Sequence, residues 1–134
     1  MKKHISLGIS NSDRVRIFME RVGHVVNQSP TFPNEKTQKL GMLLLEEELA
    51  EFYTAIAKKD IVGVADGLTD ILYVVYGIGH NFGIDLDYTF DAVHESNMSK
   101  LDVNGKAQYN KSGKVRKGKY YVPPDIKGVL SDLK

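Results

Sequence analysis

Apolar residues recur at helical spacing through roughly the first hundred residues and lose that spacing afterwards. Val15, Phe18, Met19, Val22, Val25 and Val26 mark a first helix over about 12–27, entered through the capping candidates Ser10-Asn11-Ser12-Asp13. Two prolines in Gln28-Ser29-Pro30-Thr31-Phe32-Pro33 break it. Asn34 is placed to cap a second helix running to about Lys58, with Leu45, Leu49, Phe52 and Ile56 as its core stripe. Asp60 caps a third, about 61–82, in which Ile61, Val64, Ala65, Leu68, Ile71, Leu72, Val75, Ile78 and Phe82 make a wide apolar face. Gly83 reads as its stop, and Asp85 or Asp87 as the cap of a fourth helix to about Lys100.

Beyond Leu101 the pattern becomes one of turns: Asn104-Gly105, Ser112-Gly113 and Lys117-Gly118. Tyr120-Tyr121-Val122 is a short strand candidate, Pro123-Pro124 blocks regular structure, and a last helical turn is expected near Val129–Leu133. No internal repeat stands out. The expectation is an all-α single domain over 1–134, with a helical body of about 12–100 and an irregular or hairpin-containing tail of about 101–134.

Charge sharpens this division. Residues 1–99 carry nine basic and fourteen acidic side chains; residues 100–134 carry nine basic and three acidic. An acidic body with a basic tail suits a site that holds a metal on one element and an anionic ligand with another, although a basic tail also simply aids solubility. The chain has no cysteine, which excludes disulfides and thiolate metal sites. The start, Met1 to Leu7, lacks the apolar run of a signal peptide, and the stretch Ile71–Ile78 is too short to span a bilayer. A soluble, cytoplasmic protein with no membrane partner is expected.

The acidic residues are not scattered. Glu46-Glu47-Glu48-Leu49-Ala50-Glu51 lies on the second helix, and Asp66-Gly67-Leu68-Thr69-Asp70 on the third. With Lys59 as the tip of the turn, Glu48 lies eleven residues before it and Asp70 eleven after, Glu51 eight before and Asp66 seven after. In an antiparallel pair these positions share the same heights. Asp66 and Asp70 are also the only charged side chains between Ile61 and Gly79. Alone, the cluster on the second helix reads as a common acidic helix surface, whereas the pair on the third fits a solvated edge poorly, because so apolar a helix has little edge to expose. Facing each other they repel, unless a cation holds them. All-oxygen ligation favours Mg²⁺, with Mn²⁺ as the alternative, over Zn²⁺. On the fourth helix His94, Asn97 and Lys100 form a polar stripe that suits an anion, a base edge or plain solvent. A Gly-rich phosphate loop, a serine-nucleophile motif and a nucleic-acid-binding signature are all absent from the sequence, so no nucleic-acid partner is expected.

The pattern Glu48-x-x-Glu51 followed by an acidic pair on an apolar helix resembles the all-α nucleoside triphosphate pyrophosphohydrolases, which include MazG-like proteins, dimeric dUTPases and phosphoribosyl-ATP pyrophosphohydrolase. The usual pattern there is ExxE followed by ExxD. The first half matches. In the second, Gly67 stands where the glutamate would be, and the acid comes one residue earlier, at Asp66. The stretch from Ala65 to Gly77, His94 to Lys100, Gly113 to Gly118 and Tyr121-Val122-Pro123-Pro124 are similar to a phage and bacterial subgroup labelled phosphoribosyl-ATP pyrophosphohydrolase-like or Cof-like.

The resemblance implies a MazG-like antiparallel four-helix bundle completed by a second subunit, a dimer or tetramer, with Mg²⁺-dependent cleavage of a nucleotide between its α and β phosphates. It implies Glu48, Glu51 and Asp70 as metal ligands, helped by Asp66, with Glu47 orienting or deprotonating the attacking water beside Glu48. Asn97 and Lys100 would contact phosphates, and Lys114, Arg116 and Lys117 would add charge from the tail. A non-catalytic nucleotide-binding helical module and a structural helical adaptor are the alternatives.

Overall fold

The computed structural model describes residues 8–133. Four of its five helices start at residues whose side chains satisfy free backbone N–H groups. Ser10 accepts from the Asp13 N–H while Asp13 reaches back to the Ser10 backbone, so α1 (Asn11–Val22) opens on a capping box. Asn34, Asp60 and Asp125 likewise accept from Thr37, Gly63 and Gly128 at the starts of α2 (Glu35–Ala57), α3 (Ile61–Asn81) and α5 (Ile126–Asp132). The fourth in chain order, α4, spans Leu86–Met98.

The fold is all-α. Chain contacts divide it into two compact units, residues up to Asp85 and residues from Leu86 onward, so α4 groups with the segment read from sequence as a tail.

In the first unit, α2 and α3 form a hairpin whose tip, Lys59, takes a left-handed φ of +53°. The seam is tight at three glycines. A Cβ added at Gly41 would stand 3.1 Å from Ile78, one at Gly63 3.0 Å from the Ala55 Cβ, and one at Gly67 3.3 Å from the Phe52 Cα. These pairings run in opposite chain directions and make the helices antiparallel. α1 lies along α3, with Phe18 edge-on to Tyr73 and Ser12 beside His80. Among the described residues, Val15, Met19 and Ala55 form the buried hydrophobic core. Ile56, expected in the core stripe, is exposed, as are Leu68 and Leu72 of α3.

α1 ends earlier than the periodicity predicts. Gly23, at φ +78°, closes it with its N–H on Met19 and Glu20 carbonyls, and the apolar Val25 and Val26 belong to the following loop. That loop is stitched to the end of α3 by Asn27 N–H to the His80 carbonyl and Asn81 Nδ2 to the Val25 carbonyl. At Gly83, φ +69°, a Cβ would fall 2.0 Å from the Ser29 carbonyl oxygen, so only glycine lets the two segments meet there. By length and composition α3 as a whole is able to cross a membrane, which the run Ile71–Ile78 alone is not; here it packs along α1 and α2.

In the second unit α4 packs on α5. The strand expected at Tyr120–Val122 does not form: the described residues hold only an isolated bridge, Tyr109 to Val115, and Tyr120 sits in a turn with no strand to pair with. Two loops share one design that the linear reading passed over. Asp102 Oδ1 accepts from the Asn104 and Lys106 N–H groups, and Asn110 Oδ1 accepts from those of Ser112 and Lys114. Each loop turns on a left-handed glycine, Gly105 or Gly113, followed by a lysine.

Candidate active site

The hairpin seam sets which acids meet. Gly67 faces Phe52 directly. Asp70, three residues on, is turned about 60° from that contact line, and Asp66 about 100° from it, at 100° per residue. On α2, Glu48 and Glu51 project one turn apart. The result is a group of three: ligand oxygens of Glu48, Glu51 and Asp70 all lie within 4.8 Å of one another. Glu48 and Asp70 are half-buried and Glu51 is exposed.

Three carboxylates this close raise each other's free energy when ionised. The effect is resolved at Glu48. Loss of hydration pushes its carboxyl above the ordinary value of 4.5, and the charges of Glu51 and Asp70 push the same way. Its Oε2 is buried with no hydrogen-bond partner. A buried carboxylate oxygen without a donor is costly, and a hard cation would satisfy it. The donor set, oxygen only and drawn from two rigid helices, fits Mg²⁺ or Mn²⁺.

The other residues singled out by sequence fall elsewhere. Asp66 is exposed and outside the group; with Glu51, Thr54 and Lys58 it lines a shallow cavity of about 190 Å³ toward the hairpin tip. Glu47 is exposed on α2, next to Glu48. Asn97 is exposed on α4, and Lys100 follows that helix, half-buried. Lys114, Arg116 and Lys117 are exposed around the second loop, where Lys117 Nζ lies 5.0 Å from the Tyr121 ring centre.

One feature is invisible in linear order. A largely apolar cavity of about 550 Å³ opens between α1, α2 and α3, walled by Phe18, Leu40, Leu44, Tyr73 and Val74, with Asn34 and Lys36 at its polar margin. Leu44 lies one turn before Glu48, and Val74 one turn after Asp70, so the cavity adjoins the acidic group along the same seam. Gly41 and Gly77, which line it, carry no side chain into it; glycines within two apolar helices were the available sequence signal.

The profile of the family described as phosphoribosyl-ATP pyrophosphohydrolase matches residues 15–97. This chain belongs to that family. The matched span contains all three clustered carboxylates and most of the cavity wall. Membership of the phosphoribosyl-ATP pyrophosphohydrolase family makes the chain a member of a hydrolase family of all-α type, and gives the acidic group a chemical context. An uncharacterized protein of Acanthamoeba polyphaga mimivirus is 32% identical over 112 residues, covering 81% of this chain and 42% of that protein. The chain thus spans about two fifths of the length of this curated relative.

Proposed function

We propose that this protein is a metal-dependent nucleoside triphosphate pyrophosphohydrolase, in which water cleaves the bond between the α and β phosphates to release a nucleoside monophosphate and pyrophosphate. The observation that carries this reading is the convergence of Glu48, Glu51 and Asp70 from two helices, with a buried Glu48 oxygen left without a partner, in a chain of this family.

Glu48, Glu51 and Asp70 would hold the ion. When bound, it supplies positive charge against the phosphate oxygens and acidifies water. The chain's own groups do the rest. Glu47, exposed beside Glu48, takes the proton of the attacking water. By the family resemblance, Asn97 would donate hydrogen bonds to phosphate oxygens, and Lys100, Lys114, Arg116 and Lys117 would offset their charge. The apolar cavity adjoining the carboxylates takes the nucleoside end of the substrate, with Phe18 and Tyr73 as flat surfaces for a base. The protein acts as a homo-oligomer, because Leu40, Met42, Leu43 and Leu72 leave an apolar surface exposed on the hairpin.

Release of pyrophosphate from a panel of nucleoside triphosphates, with Mg²⁺ and with a chelator, tests the proposal. Mg²⁺-dependent formation of monophosphate and pyrophosphate in equal amounts is expected. Tight nucleotide binding without turnover would instead make the chain a non-catalytic nucleotide-binding module.

A further inference from the structure

The proposed reaction leaves open how many ions the acidic site takes. Position 67 bears on this. A side chain there would share the face of Asp70, three residues on, and a carboxylate would point toward the same group. The chain instead places glycine against the α2 backbone. A Cβ at 67 would lie 3.3 Å from both Cα and Cβ of Phe52 and 3.5 Å from its backbone nitrogen. Backbone atoms do not rotate away as a side-chain tip does. The helices are also held close at Gly41 against Ile78 and at Gly63 against Ala55. A fourth ligand at 67 would start from a Cβ packed more tightly on the neighbouring helix than ordinary van der Waals contact.

Asp66 does not replace it. It is exposed, turned about 40° further from the seam than Asp70 and about one helical turn nearer the tip. It lines the small cavity with Glu51, Thr54 and Lys58, and its oxygens fall outside the close group of three.

We infer that this site holds a single divalent ion, on Glu48, Glu51 and Asp70, because Gly67, packed on Phe52, leaves no carboxylate at the position from which a fourth would reach it. The inference rests on the metal-dependent reading above. Its electrostatics agree. Two divalent ions about 3.5–4 Å apart need bridging anions to offset four positive charges. The group offers at most three negative charges.

Mn²⁺ titration of the 134-residue chain, followed by electron paramagnetic resonance of the free ion, counts the sites without reference to turnover. Circular dichroism confirms that each variant is folded. One saturable Mn²⁺ per chain, lost in Asp70→Asn, is the expected result. Asp66→Asn should retain that site with affinity changed by less than about fivefold, the limit for a solvent-exposed charge. Two ions per chain that are both lost in Asp70→Asn would overturn the single-ion inference and leave the catalytic reading standing. Loss of the ion in Asp66→Asn would also overturn it, since Asp66 would then be a ligand. Absence of any ion that depends on Asp70 would sink both.

Discussion

A single ring nitrogen ties the two ends of the α1–α3 packing: His80 Nε2 lies 2.8 Å from the Ser12 carbonyl and 3.1 Å from the Ser12 hydroxyl, across 68 residues of chain. A carbonyl only accepts, so Nε2 carries the proton. Both residues are buried, and Ser12 is the most completely buried side chain among those described.

His80→Ala would leave the buried Ser12 hydroxyl without its ring partner and take from the Ser12 carbonyl, which lies inside α1 and keeps its helical donor, a second hydrogen bond. At about 1–3 kcal/mol for a stranded polar group, a loss of at least about 2 kcal/mol in unfolding free energy is expected. Ser12→Ala removes only the hydroxyl contact and should cost about 1 kcal/mol. Urea denaturation of the two variants measures the difference; equal midpoints for both would mean that the carbonyl contact contributes nothing.

Glu48→Gln or Asp70→Asn should reduce Mg²⁺-dependent pyrophosphate release to background. The same variants should melt at higher temperature than the parent in the presence of a chelator, because one of three mutually repelling carboxylates is gone. Wild-type turnover in either variant would remove these residues from the metal site.

The raised Glu48 carboxyl gives the metal-free protein a definite pH dependence. Below the ordinary value of 4.5 the group is protonated in the folded and the unfolded chain alike, and its favourable contribution is fully present. As pH rises past 4.5 the unfolded chain ionises first, and stability falls until the folded group has ionised too. Denaturation midpoints in chelator, taken from acid toward neutral pH, should therefore decline through this group. Glu48→Gln should flatten its part of the decline. Saturating Mg²⁺ should reverse it, since the ion binds the ionised form.

Much of this architecture is legible in linear order, and the misses share a cause. Ser10, Asn34 and Asp60 announce helix starts because a cap is a contact over three residues. The heights of Glu48, Glu51 and Asp70 about Lys59 follow from equal rise on two helices. Asp66 matched Glu51 in height just as well. What separates Asp66 from Asp70 is rotation about the helix axis relative to the partner, and that is set by Gly67 meeting Phe52, a contact 15 residues apart in sequence. The apolar cavity is hidden for the same reason: Phe18, Leu44 and Tyr73 read as core until three helix directions are known. α1 was read too long because Val25 and Val26 continue its apolar rhythm past Gly23, where the backbone has already turned left-handed.

Gly83→Ala tests the loop behind that cavity. The new methyl would overlap the Ser29 carbonyl and impose a left-handed φ on a residue with a Cβ. A loss exceeding about 1–2 kcal/mol, the cost of the left-handed conformation alone, is expected in thermal or urea unfolding. A neutral result would show that the 29–30 segment is free to move aside.

Light scattering at micromolar concentration should report a dimer or larger. Replacing Leu43 and Leu72, both more than half exposed, with charged residues should shift the species toward monomer without loss of helical circular dichroism. A monomeric parent protein would count against the assembly proposed above.

The three close approaches along the α2–α3 seam also constrain how this sequence is able to change. A side chain gained at Gly67 pushes against backbone, which no substitution at Phe52 removes. Accommodating it asks the α2 backbone to give by a few tenths of an ångström, along a seam that also holds Ile78 against Gly41 and Ala55 against Gly63. These positions are therefore coupled across evolutionary time and expected to vary as a set. An acid at 67 is expected to be accompanied by larger residues at 41 and 63, the mark of a slightly wider hairpin.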